Sequence, residues 1–315
     1  MIVRTSERRD WKTCRQKWQW AYVDCLVPIG KRPALAFGDL IHQALADWYV
    51  PGVKRGVHPA QTFEKLYKDY VDEWGTLYMK VVDDEPAEDA YDLGMEMLTN
   101  YVEHWGKDDR YKIIQPEQPI KVKIWGKPPI YYVCVLDAVI FDRQQKQYGL
   151  FEHKTTGSMR KFGAPLALDE QAGSYWTYGY KWMRQQGFKK DFDFILYNFL
   201  RKGHKDPRPQ NAEGHYLNKD GTVSKRQPNP LFWREPVYRA AGDRRVMENR
   251  VMLEVEEMHM ARNGKLGIYK NPDDHCGWCQ FKDMCEVHET DSDWEAVRDG
   301  LYTKGNPYEV YENRT

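Results

Sequence analysis

The sequence predicts an α/β protein in which a mixed β-sheet is flanked by helices. Residues 113–154 show strand-like alternation, with Ile120, Val122 and Ile124 set among lysines and two further β-rich runs behind them. Residues 192–200 (FDFILYNFL) are apolar on both faces, the pattern of a strand inside a sheet. Around these runs lie segments of helical period. The clearest is 36–49, where Leu40, Ile41, Ala44, Leu45, Trp48 and Tyr49 form a broad apolar face with His42 at its edge.

The remaining elements follow in order. In residues 9–22, Trp11, Cys14, Trp18 and Tyr22 recur at helical spacing, an aromatic stripe that reports burial. Residues 59–78 and 87–105 read as two more helices, with the acidic run 82–86 between them as a solvated loop. A loop with Arg160 and Lys161 spans 155–165, and a helix over 168–185 carries Gln171, Tyr175 and Tyr178 on one face. Residues 202–229 have no hydrophobic period and read as an insertion loop or short hairpin. A strand over 232–239 is followed by a helix capped by Asp243 and ending near Arg262, with Met247, Val251, Val255 and Met258 inward.

Composition sets outer limits. A chain of 315 residues, 41% hydrophobic, with 12 Trp and 21 Tyr, can bury a sizeable core and is not disordered. The 47 basic residues balance the 47 acidic ones, so only a local patch could speak for nucleic acid. The first residues lack the apolar core of a secretory signal, and no apolar run approaches the roughly 20 residues that span a bilayer. The expected location is cytoplasmic, where the six cysteines are read as metal ligands or ordinary thiols rather than disulfides.

The chemistry concentrates in residues 133–154 (VCVLDAVIFDRQQKQYGLFEHK). A hairpin turning between Gln144 and Gln145 places Asp137 opposite Glu152, while Lys154 shares the face of Glu152. Facing carboxylates are destabilising unless a cation lies between them. Hard cations such as Mg²⁺ and Mn²⁺ take carboxylate and water ligands, and Lys154 adds a fixed positive charge. This arrangement suggests a phosphodiesterase metal site.

Near the C-terminus, Cys276, Cys279 and Cys285 form a C-x2-C-x5-C array, three thiolates that can surround one zinc ion or iron–sulfur cluster. A fourth ligand must come from elsewhere. Cys14, read as helical, suits the role better than Cys25, which lies beside the break at 27–30.

Taken in order, Cys14, G-x3-H at Gly38 to His42, Asp137, E-x-K at Glu152 to Lys154, Q-x3-Y at Gln171 to Tyr175, and C-x2-C-x5-C resemble the RecB-type nucleases of the PD-(D/E)XK superfamily. The resemblance is closest to the iron–sulfur branch containing Cas4 and the AddB nuclease domain. It implies a restriction-endonuclease-like core, a mixed β-sheet flanked by helices, with a helical N-terminal region and a Cys-rich C-terminal segment. Residues 1–315 would then form one nuclease domain: 36–110 the helical part carrying His42, 113–201 the catalytic sheet, 202–229 the insertion, and Cys14 with 276–285 a clamp.

By the same resemblance, His42, Asp137, Glu152 and the main-chain carbonyl of His153 bind Mg²⁺ or Mn²⁺. Lys154 positions or activates the attacking water, and Gln171 and Tyr175 hold the DNA strand. Cys14, Cys276, Cys279 and Cys285 ligate a [4Fe–4S] cluster, with zinc as the alternative. The expected activity is DNA exonucleolysis on single strands or ends, with Tyr175, Trp176 and Tyr178 available to stack on splayed bases. Two other roles fit the same motifs: a CRISPR-adaptation nuclease working with an integrase, and an idle DNA-binding or assembly subunit.

Overall fold

The computed structural model describes residues 1–30, 36–79, 87–157 and 166–309. The loop expected at 82–86 and most of that at 155–165 lie outside them. In chain order the elements are β1 (Ile2–Val3), α1 (Thr5–Thr13), α2 (Arg15–Trp18), a π-helical turn (Gln19–Val23), β2 (Leu26–Pro28), α3 (Ala36–Trp48), α4 (Pro59–Trp74), β3 (Tyr78–Met79), β4 (Glu88–Asp89), α5 (Ala90–Trp105), β5 (Tyr111–Trp125), β6 (Ile130–Asp142) and β7 (Gln147–Thr156). The second half holds α6 (Glu170–Gln185), β8 (Phe192–Arg201), β9 (Phe232–Tyr238), α7 (Ala241–Arg262), α8 (Lys282–Glu289), α9 (Trp294–Leu301) and β10 (Tyr302–Lys304).

The main sheet is mixed. Its path is β1-β6-β7-β8-β9, with β5 also paired to β6. β6 is antiparallel to β5 and β7, β7 is parallel to β8, and β8 is antiparallel to β9. Strand β8 is internal, as its two apolar faces require. Phe194, Leu196 and Leu200 enter the core shared with α3, α4 and α5. Ile195, Tyr197 and Phe199 enter the core on the other face, shared with α1, α6 and α7. A third, smaller cluster joins Trp20 and Leu26 to Phe281, Met284 and Tyr302 near the C-terminus.

Local chemistry sets the element ends. Pro59 starts α4 behind a His58 cap, and Gly75, at φ 74°, stops it, so this helix ends at Trp74 rather than near 78. Asp89 caps α5, which begins at Ala90 after the short strand β4 rather than at 87. α4 and α5 pack so closely at Gly94 that a Cβ there would fall 2.1 Å from the Phe63 ring. Asp243 is not the cap of α7 but its third residue, and its carboxylate accepts the Ala240 N–H. Met247, Val251, Val255 and Met258 are all buried.

The N-terminal stripe is not one helix. The chain turns extended at Cys14 (φ −160°), between α1 and α2, so the reason for preferring Cys14 as a helical residue does not hold. Trp11, Trp18 and Tyr22 are buried as their spacing suggests, whereas Cys14 is only partly buried. Residues 202–229 fold back through the bridges Gln210–Tyr216 and Leu217–Val223. No helix among the described residues is long and apolar enough to cross a membrane.

Candidate active site

The hairpin of β6 and β7 turns through residues 143–146, where the Asp142 carboxylate accepts the N–H groups of Gln144 and Gln145. Its register is the one the turn predicts, from Asp142–Gln147 to Ala138–Phe151. There the ladder stops, one pair short of Asp137 and Glu152. In its place Asp137 Oδ2 accepts the His153 N–H at 2.7 Å. A carboxylate has thus replaced a main-chain acceptor, which holds Asp137 against the backbone between Glu152 and Lys154.

The remaining side chains converge from both faces of the sheet. From α3, His42 Nδ1 lies 3.8 Å from Asp137 Oδ2. Toward α6, Lys154 Nζ donates to Glu152 Oε1 at 2.7 Å and to Gln171 Oε1 at 3.1 Å, and Gln171 Nε2 donates to the Tyr175 hydroxyl at 3.1 Å. The six side chains are therefore linked around one point on the sheet. Trp176 and Tyr178 are not among them. Both are buried in the core, Tyr178 stacked on Tyr132 with centroids 4.3 Å apart, so of the three candidate stacking aromatics only Tyr175 is left near the site.

Sequence reasoning missed Asp169. Its Oδ1 caps α6 by accepting from Gln171 and Ala172, while Oδ2 stands 3.9 Å from Lys154 Nζ. The capping signal was legible, but the approach to Lys154 is tertiary.

Electrostatics match the arrangement. Burial pushes the Asp137 carboxyl up to about 6 and the Glu152 carboxyl up to about 7, Glu152 also being raised by the charge on Asp137. Burial pulls the Lys154 amine down, but Glu152, Asp169 and Asp137 more than offset it, and Lys154 remains an ammonium. Burial lowers His42, and burial also holds the His153 ring neutral, well below the usual histidine range.

Two carboxylates and a neutral imidazole form a donor set suited to a hard divalent cation, and the Lys154 ammonium adds a fixed positive charge beside it. Among the described residues no three His, Cys, Asp or Glu side chains stand in a ready metal cage, so the fit lies in the chemistry of the donors rather than in a closed shell.

Cys14, Cys276, Cys279 and Cys285 all line one cavity of about 340 Å³, together with Lys17, Trp20 and His275. Burial raises the thiols of Cys279 and Cys285, and the other cysteines of the group add to the rise. Cys25 is not in this lining; its thiol turns toward the carbonyls of Tyr22 and Val23.

A family model described as the PD-(D/E)XK nuclease superfamily matches residues 6–286. The chain belongs to this superfamily. The match runs from before Cys14 to just past Cys285 and includes the whole site on β6, β7, α3 and α6. The structure is also similar to the crystal structure of a "Putative exonuclease" from Eubacterium rectale, at 8% identity and a TM-score of 0.47, with 89% of this chain and 93% of that one covered. A comparison with curated proteins finds no match. Membership makes the chain a nuclease, a hydrolase of phosphodiester bonds, in a superfamily that typically uses divalent metals.

Proposed function

We propose that this chain is a metal-dependent DNA nuclease, acting as an exonuclease on single strands or DNA ends. One observation carries the reading: Asp137, Glu152 and Lys154 sit where two paired strands part, with His42 brought against Asp137 from the other side of the sheet. His42, Asp137, Glu152 and the His153 main-chain carbonyl would hold Mg²⁺ or Mn²⁺. An imidazole among the donors favours Mn²⁺. The chemistry such a cation supplies when bound is polarisation of the phosphoryl oxygen and acidification of water.

The protein's own groups do the rest. Lys154, an ammonium tied to Glu152, has no lone pair with which to take a proton; it orients the attacking water and offsets phosphate charge. Gln171 braces Lys154 and bonds Tyr175, and the two would hold the DNA strand beside the scissile phosphate. The test is digestion of 5′- and 3′-labelled single-stranded DNA in Mn²⁺ by wild type, Asp137→Ala and Lys154→Ala. A wild type as inert as the variants would refute the enzyme reading, and cleavage of circular single strands would refute the exonuclease.

The four cysteines support a second assignment, a structural [4Fe–4S] cluster of the Cas4/AddB type, with zinc as the alternative. Their shared cavity joins the N-terminal segment to the C-terminal tail, so a cluster would clamp both onto a single nuclease domain. Anaerobic purification should yield a brown protein with iron–sulfur charge-transfer absorption. A colourless protein with stoichiometric zinc would overturn the iron assignment and leave the nuclease intact.

A further inference from the structure

A polar row crosses the sheet behind the active site. His153 on β7 pairs in register with Asn198 on β8, and Asn198 pairs in register with Arg234 on β9. Their side chains point to the α3–α5 face, away from Glu152 and Lys154, into a core otherwise built of aliphatic and aromatic groups. Asn198 Nδ2 bonds His153 Nδ1 at 2.9 Å and the Tyr101 hydroxyl at 2.9 Å, while Asn198 Oδ1 accepts from Arg234 Nε at 3.1 Å. Arg234 also donates to Tyr49 OH at 3.0 Å and pairs with Asp108, its guanidinium lying 4.0 Å from the Trp105 ring centroid. Tyr49 in turn stacks on the His153 ring, centroids 5.3 Å apart.

The donors leave one solution. A guanidinium has no acceptor, so the Asn198 oxygen must face Arg234 and its NH₂ must face His153. His153 Nδ1 is therefore the acceptor, and the neutral ring carries its proton on Nε2. Every polar atom of the Asn198 amide is committed, and the His153 ring is held by a hydrogen bond at one edge and by Tyr49 across one face. The backbone N–H of that same residue is the donor that anchors Asp137. A buried row of this kind costs desolvation that an apolar core would avoid. It stands directly behind the main-chain N–H that holds Asp137, in the peptide that Glu152 and His153 share.

We infer that Asn198 and Arg234 are positioning residues: they fix the His153 ring, and with it the peptide that sets Asp137 and Glu152 for a divalent cation. The inference rests on the metal-nuclease reading above. It calls for three measurements on the full chain: histidine ¹⁵N NMR of the metal-free protein, titration with Mn²⁺ alone by calorimetry, and thermal melting.

The wild type should show His153 as the Nε2–H tautomer. The double variant Asn198→Leu, Arg234→Met replaces the row with apolar groups and leaves Nδ1 unbonded. Asp108 loses its cation as well, so the variant should melt below the wild type. Titrated well below its own melting temperature, it should bind Mn²⁺ roughly 10–100-fold more weakly, the scale seen when outer partners of metal ligands are lost. Asn198→Asp keeps an acceptor for Arg234 and a partner for the ring. It should move the proton to Nδ1 and hold Mn²⁺ affinity within a few-fold of wild type. An Nδ1–H wild type, or a double variant that binds Mn²⁺ as tightly as wild type, would overturn the inference. A wild type with the expected tautomer that takes up no Mn²⁺ would remove the metal reading itself, and the positioning role with it.

Discussion

Glu152 is held in a place that favours its neutral form, and this has a measurable consequence for the metal-free protein. Its carboxyl is raised from 4.5 to about 7 with the attraction of Lys154 already acting on it. At 1.36 kcal/mol per pKa unit, the ionised form destabilises the fold by roughly 3 kcal/mol. Because the folded value lies above the unfolded one, this stability is fully present below pH 4.5 and is lost as pH rises through about 7.

Glu152→Gln stands in for the protonated acid at every pH. Urea unfolding of both proteins without metal should therefore give equal stability near pH 4.5 and a variant about 3 kcal/mol more stable at pH 8. Taking the difference between the two proteins at each pH cancels the titrating groups that do not interact with Glu152, and leaves the joint titration of Glu152 with Asp137 and Lys154. Added Mn²⁺ should close the gap by stabilising wild type alone, while the variant stays inactive. A metal-free Glu152→Gln protein less stable than wild type at pH 8 would refute the reasoning, since Glu152 would then be a stabilising ion-pair partner and not a strained ligand.

Other outcomes follow from the same geometry. Lys154→Met should lower the turnover number about 100- to 1,000-fold, the scale for loss of a transition-state charge partner, with Mn²⁺ binding retained in calorimetry. Mn²⁺ should support DNA cleavage at least as well as Mg²⁺, and a metal titration showing activity with Mg²⁺ only would count against His42 as a direct ligand. Tyr175→Ala should weaken single-strand binding by roughly 1–3 kcal/mol in a fluorescence assay, whereas Trp176→Ala should act instead on stability, costing about 3–5 kcal/mol in a melt. Gly94→Ala should also destabilise, because its Cβ meets the Phe63 ring at 2.1 Å.

The parts of the site that could be read in advance are those whose geometry is local. Strand alternation and a four-residue turn determine the β6–β7 register, so Asp137, Glu152 and Lys154 could be brought together on paper. The same reasoning could not show that the ladder stops one pair early, because that depends on a carboxylate taking a main-chain N–H. On α6, Gln171, Tyr175 and Tyr178 share a helical face, yet Tyr178 is buried against Tyr132. Periodicity says which residues lie together, not how far a neighbouring layer extends over them. At Cys14 the aromatic spacing continues across a break in the helix, since side-chain periodicity does not record an extended backbone.

The sequence alone determined the α/β layering, the hairpin and its register, the inward faces of α3 and α7, and the motif order that marks the superfamily. The layering, the hairpin and the helix faces follow from periodicity, turn chemistry and spacing, which act within a few residues, whereas the motif order marks the superfamily only by resemblance to a known family. Only the tertiary structure decided that His42 reaches Asp137, that Asp169 faces Lys154, that Cys14 rather than Cys25 joins the C-terminal cysteines, and that Asn198 and Arg234 stand behind His153. Each of those contacts joins elements distant in sequence. It is set by which strands become neighbours and how the helices close over them, a choice made by the packing of the whole core.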